Sequence, residues 1–370
     1  MTLTTPRRSL FRRSLSRMAA YVPGEQPAAS TMTGDEIVKL NTNECPYPPS
    51  PKVVEAIREA AGGPLNRYPH PMADPFRVAA AEMLGLPGPE WILAGNGSDE
   101  ILTILVRAFV GEHQKLRLPH PSYILYRTLA DIQDARWDEV SFDANWKLGP
   151  NFARGDDNLR FIFLPNPNSP SGTVLLPDEV AAIADAASCP MLVDEAYVDF
   201  ADHDCLSLVQ SRDDVFVSRT LSKSYALAGI RFGYLIAPPD VISELSKIKD
   251  SYNCDAIATA AATAAIRDTE WLHATTTRLR STRSSMQTEL AELGFKVTPS
   301  HANFVWCTHP DVDHRDVYER LKQRGLLIRY MNYDGFGDGL RISVGTDAQW
   351  DRCRDAIADI VAQSPPATST

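Results

Sequence analysis

Five short apolar runs, each closed by small or polar residues and separated by stretches with helical spacing, restrict this chain more than any other feature. They lie in WILAGNGSDE, ending at Ala94; in RFIFLPNPNSPSG, ending at Leu164; in CPMLVDEAY, ending at Val193; in DVFVSRTLSK; and in FGYLIAP. None alternates strictly between apolar and polar, as a strand with one wet face would. Continuous runs bounded by turns suit central strands buried on both faces. After the first run, Ile101, Leu102, Leu105, Val106 and Phe109 recur at helical spacing. Strands alternating with helices predict a largely parallel α/β sheet, and such sheets bind ligands at the carboxyl ends of their strands.

The flanking regions have a different rhythm. EIVKLNTNECPYPPSPKVVEAIREA over 36–60 and the region after about 250 suggest helices packed on a small sheet. One long helical pattern runs through Ala265, Leu272 and Leu279, followed by strand-like runs at 295–297, 304–306, 326–329 and 340–344. At 370 residues the chain exceeds one typical domain. The expected division is an N-terminal arm over 1–35, a large domain over 61–245, and a smaller α+β domain formed by 36–60 and 246–370.

Charge and cysteine spacing narrow the function. A formal net charge of -10 argues against a nucleic-acid-binding surface, and no run of about 18 apolar residues predicts a membrane span. The six cysteines form no CxxC pair, so neither a metal site nor a disulfide framework is expected, and a reducing, cytoplasmic setting fits. The first seventeen residues carry five arginines and no acid. A mobile or dimer-contacting arm is the expectation for them, with an organelle-targeting peptide as the alternative.

Each strand end offers polar candidates with a bland alternative beside it. The turn Gly95-Asn96-Gly97-Ser98-Asp99 opens a helix, where tight glycine geometry and free N–H groups favour an anion such as phosphate, although Ser98 and Asp99 are also ordinary cap residues. Asp194 closes an apolar run; a buried carboxylate there needs a cation such as a protonated ring nitrogen, or else serves as a cap or an ordinary salt bridge. Tyr197 could reach the same place. Asn168 and Ser169 lie in a turn-rich segment directly after a buried run, and Tyr123 follows a short strand-like run as a stacking platform or plain packing. Lys223 in SRTLSKSYALAGIRFGY could be a surface charge; burial or the nearby Arg231 would instead make its amine a nucleophile. A lysine, a ring-nitrogen carboxylate and an anion site together form the inventory that binds pyridoxal 5'-phosphate.

In collinear order, KLNTNECPYPPSP, NRYPHP, AGNGSDE, PNPNSPSG, VDEAYVDF, RTLSKSYALAGIRFGY and LRISVGT cover most of the chain. With them the sequence resembles the fold-type I pyridoxal phosphate enzymes, and among these the class II aminotransferases of the histidinol-phosphate aminotransferase type. The resemblance implies Lys223 as the Schiff-base lysine that also moves the substrate proton. It implies Asp194 on the ring nitrogen, Tyr197 on the phenolate oxygen and Tyr123 stacked on the ring. Gly97, the N–H groups of Ser98 and Asp99, Thr220, Ser222 and Arg231 would hold the phosphate. Tyr68 of NRYP would reach the phosphate of a neighbouring subunit, which implies a homodimer with shared sites.

Arg341 would clamp the substrate carboxylate, Arg329 would help with the distal group, and Tyr21 in the arm would close over the substrate. One departure stands out: the family commonly has Asn before the Pro of its P-T-G turn, where this chain has Ser169, with Asn168 just before it, and either could contact the phenolate oxygen. The implied activity is transamination between histidinol phosphate and 2-oxoglutarate, in histidine biosynthesis. An aromatic amino acid aminotransferase, a threonine-phosphate decarboxylase and a non-catalytic binding protein of the same fold are the alternatives.

Overall fold

The computed structural model describes residues 37–363 together with 10–12, 14–16, 18 and 25. Val38–Lys39 forms β1. Seven strands build the main sheet: β2 (Ile92–Gly95), β3 (Lys115–His120), β4 (Arg136–Ser141), β5 (Leu159–Pro165), β6 (Met191–Asp194), β7 (Val215–Thr220) and β8 (Gly233–Ile236). Their order across the sheet is β2-β8-β7-β6-β5-β3-β4. Only β8 runs against its neighbours, pairing antiparallel with β2 and β7, while β3 to β7 pair in parallel.

The five apolar runs are five of these strands, and in β2, β6, β7 and β8 every residue is buried. Helices cover both faces. On one face Ile101, Leu102, Leu105 and Tyr126 pack with Phe161, Phe163 and Phe216; on the other, Phe76, Ala79, Ala261 and Ala262 pack with Ile162, Val193 and Val217. Each large apolar side chain removed from water contributes about 1.5–3 kcal/mol, so the sheet is held from both sides. The strand at 136–141 was not foreseen. It is the sheet edge, carries RWDEVS, and leaves Arg136, Trp137 and Ser141 exposed, as edge strands with charged residues commonly do.

A second sheet contains β9 (Lys296–Thr298), β10 (Phe304–Thr308), β12 (Arg329–Tyr333) and β13 (Gly337–Ser343), while β11 (Leu326–Leu327) pairs in parallel with β1. The expected run at 326–329 is thus divided between two sheets. The long pattern through Leu279 is also two helices, Ala256–Arg267 and Thr269–Glu292, separated by Asp268. Asp268 is buried and takes hydrogen bonds from Ser50 and, at 2.8 Å, from Lys52, so a tertiary contact fixes the break. Helices Pro51–Ala61 and Ala256–Arg267, grouped with the smaller unit in the sequence reading, bury Val53, Ala258, Ala261 and Ala265 in the cluster beneath the main sheet. The second cluster joins β10, β13, the helix over 269–292 and Leu40.

Candidate active site

The carboxyl ends of β2, β3, β5, β6 and β7 open onto one cavity of about 710 Å³. Its lining includes Ser98, Asp99, Tyr123, Ser169, Asp194, Tyr197, Thr220, Ser222, Lys223, Arg231, Arg329 and Arg341. Residues more than two hundred positions apart therefore share one chamber.

At the end of β2, Gly97 has φ +81, and a Cβ there would lie 2.6 Å from Arg231 Nη2. Glycine is required both for the backbone and for the approach of the guanidinium. The helix Ser98–Phe109 starts directly after it, with its first N–H groups free of a side-chain cap. A Cβ on Gly233 would meet Ser98 N at 2.4 Å, so the β8 glycine lets that helix start press against the sheet. Arg231, itself at φ 58, donates to Ser222 Oγ at 3.2 Å and pairs with Asp99 at 3.3 Å. Thr220 Oγ1 accepts from Ser222 N at 3.2 Å. Backbone N–H groups, two hydroxyls and a guanidinium thus converge on one corner, a seat for a phosphate.

Asp194 ends β6 and is buried. Tyr126 donates to its Oδ2 at 2.6 Å and Ser218 to its Oδ1 at 3.1 Å. Burial pushes the carboxyl above its ordinary value despite those hydrogen bonds, and no ion pair joins it to a lysine, arginine or histidine among the described residues. Its charged form is short of a cation.

Lys223 follows β7, donates to the Thr42 carbonyl at 3.2 Å, and lies 5.7 Å from the Tyr197 ring centroid. Tyr197 receives a hydrogen bond from Asn43 Nδ2 at 2.9 Å. Tyr123 reaches Asp99 Oδ1 at 3.3 Å and stands edge-on to Tyr126, with centroids 5.5 Å apart. The opposite wall comes from the second sheet, where Arg329 and Arg341 are directly opposed across β12 and β13. Arg341 donates to Ser169 Oγ and to the Asn41 carbonyl, each at 3.0 Å.

The two residues left open by the sequence are separated by the fold. Ser169 faces this cavity, whereas Asn168 is buried behind it, donating to Ser171 Oγ at 3.0 Å and lining a small hollow with Phe142 and Trp146. Tyr68 lies outside the cavity, 80% exposed, stacked on Tyr252 with centroids 4.4 Å apart. Tyr21 falls outside the described residues. Tyr126 and Ser218, the partners of Asp194, were not singled out from sequence, nor were Asn41, Thr42 and Asn43. The signal for the first lay in HPSYILY, where the second tyrosine is three residues from Tyr123; the signal for the others was the polar cluster in LNTNE.

Comparison with known proteins agrees with this arrangement. The model of the family "Aminotransferase class I and II" matches residues 35–357. A histidinol-phosphate aminotransferase of Rhodopirellula baltica is 60% identical over 343 residues, 93% of each chain. Another, from Geotalea daltonii, is 43% identical over 95% of this chain and 99% of its own. The crystal structure of the Sinorhizobium meliloti histidinol-phosphate aminotransferase in complex with pyridoxal-5'-phosphate superposes with a TM-score of 0.82 at 28% identity, covering 90% of this chain and 96% of that one. With a match over most of its length and relatives well above 30% identity, the chain belongs to the aminotransferase class I and II family.

Proposed function

We propose that this chain is a pyridoxal 5'-phosphate-dependent aminotransferase that moves an amino group between histidinol phosphate and 2-oxoglutarate, in histidine biosynthesis. The direct opposition of Arg329 and Arg341 in the cavity wall supports a substrate that carries an anion. Like charges directly opposed across a sheet destabilise it, so the pair makes physical sense facing an anion. Histidinol phosphate and glutarate-type acids both present one. The 60% identity to a histidinol-phosphate aminotransferase favours this pair over aromatic substrates.

The residues present fit the cofactor. Asp194 is a buried carboxylate in want of a cation, and a protonated pyridine nitrogen is one. The Gly97 turn leaves no room for a side chain between the helix start and Arg231, which suits a phosphate drawn close to the backbone. When bound, pyridoxal phosphate supplies an electron sink for negative charge at the substrate Cα.

The chain's own groups do the rest. Ser98 and Asp99 N–H, Thr220, Ser222 and Arg231 would hold the phosphate; Asp194, oriented by Tyr126 and Ser218, would keep the ring-nitrogen proton in place. Lys223 would hold the cofactor covalently and, once the substrate amine has displaced it, would take and return the proton at the substrate Cα. Asn43 aims the Tyr197 hydroxyl into the cavity. Arg341, braced by Ser169 and the Asn41 carbonyl, orients the substrate anion so that the Cα–H bond faces the lysine.

We further propose a homodimer working in the cytoplasm. The exposed Tyr68–Tyr252 stack suits contact with a second copy, from which Tyr68 would reach the partner's phosphate seat. The six cysteines are free, and among the described residues no helix is long and apolar enough to cross a membrane. The decisive experiment follows the near-visible absorbance of the bound cofactor in single-turnover half-reactions with imidazole acetol phosphate and with phenylpyruvate. Preference for phenylpyruvate refutes the substrate assignment, and full transaminase activity in Lys223→Ala refutes the role of the lysine.

A further inference from the structure

Beside the cavity lies an ionic cluster that the catalytic scheme does not use, buried at Arg219 and Glu195 and open to solvent at Asp204. Arg219 is 8% exposed; its Nε donates to Glu195 Oε2 at 2.9 Å, and its Nη2 lies 2.8 Å from the same oxygen and 2.9 Å from Asp204 Oδ2. Glu195 is 1% exposed and also accepts from Cys205 N at 2.6 Å. Beside this cluster, Asp199 takes a hydrogen bond from Ser224 Oγ.

These residues stand beside the site residues along the chain. Glu195 follows Asp194, Asp199 comes two after Tyr197, Arg219 precedes Thr220, and Ser224 follows Lys223. Each site side chain points into the cavity while its neighbour points back into these contacts. A buried ion cluster is poor value for stability, because apolar side chains of similar size commonly do as well or better. What it supplies here is a fixed geometry: Glu195 and Arg219 join the ends of β6 and β7, and Asp199 and Ser224 join the turn after β6 to the turn holding Lys223.

We infer that two contacts, Arg219 with Glu195 and Ser224 with Asp199, act as positioning links that set Lys223 against Asp194 and Tyr197 for proton transfer. Neither touches the reacting atoms. A displacement of about 1 Å in such a group costs on the order of a hundredfold in rate, so a distant anchor is enough to control turnover. The inference rests on the functional reading above.

Ser224→Ala tests it with the smallest change, since it deletes one hydroxyl and leaves the buried charges intact; Arg219→Lys keeps the charge and loses the fork to Glu195 and Asp204, and Ser224→Thr is the conservative rescue. In the holoenzyme, Ser224→Ala and Arg219→Lys are expected to lower kcat about tenfold or more with KM within twofold. They should also move the pH midpoint of the near-visible absorption band, which reports protonation at the group joined to Lys223. Ser224→Thr should restore both readouts. If Ser224→Ala, folded and cofactor-loaded, keeps the wild-type kcat and band midpoint, the two contacts are not positioning links, whatever happens to Arg219→Lys. A wild-type protein with no such band overturns the functional reading, and this inference with it.

Discussion

Replacing Asp194 by Asn should have opposite effects on the cofactor-free and cofactor-bound proteins. In the cofactor-free chain the carboxylate is buried, with two hydroxyl donors and no ion pair among the described residues, and burial raises its pKa above the ordinary 3.8. A raised folded-state pKa means that the native chain binds the proton more tightly than the unfolded chain. Stability is therefore full below the ordinary carboxylate range and falls as pH rises through and above it.

Asn removes that penalty at pH 7.5. It also exchanges two hydrogen bonds to a charge for two neutral ones, a loss of about 1–3 kcal/mol, against a desolvation cost of several kcal/mol for the carboxylate. Because the shift is upward, desolvation is the larger, and the Asn variant is expected to have the higher Tm at pH 7.5. Binding moves the other way: on the proposed pairing of Asp194 with the ring nitrogen, losing that buried charge costs about 3 kcal/mol, about a hundredfold in Kd. Differential scanning calorimetry of the cofactor-free protein between pH 4.5 and 8, with cofactor titration followed by absorbance, measures both. An Asn variant less stable at pH 7.5 than wild type, or one with unchanged cofactor affinity, would refute the assignment of Asp194 as a carboxylate waiting for a cation.

Arg329→Gln removes one of two opposed guanidinium groups; the cofactor-free protein should gain about 0.2–1 kcal/mol, while KM for histidinol phosphate rises about ten- to a hundredfold through loss of a charged contact, both read from thermal unfolding and steady-state kinetics. Gly97→Ala places a methyl 2.6 Å from Arg231 Nη2 on a backbone at φ +81, so a loss on the order of 1–2 kcal/mol in stability and weaker binding of the cofactor phosphate should appear in urea unfolding and cofactor titration.

The places of Lys223, Asp194 and the Gly97 turn beside the cavity were legible in the sequence because residues at or just beyond the end of a buried strand have little freedom: the strand end fixes where the chain emerges. The same local logic found a mostly parallel sheet buried on both faces, and the resemblance of the motifs carried the family. Local pattern failed where a distant contact made the decision. Asp268 breaks what looks like one helix because Ser50 and Lys52 reach it from across the core, and the strand at 136–141 is hidden because an edge strand has no need of an apolar run.

The sequence by itself determined which side chains stand at strand ends, since the period of burial is written in consecutive residues. Only the tertiary structure decided what surrounds them. It placed Tyr126 and Ser218 on the Asp194 carboxyl, turned Ser169 rather than Asn168 into the cavity, and set Arg329 against Arg341 in one register. Register and facing depend on pairings between segments far apart in the chain, and the free energy of such a pairing resides in both partners at once, so neither segment carries it alone.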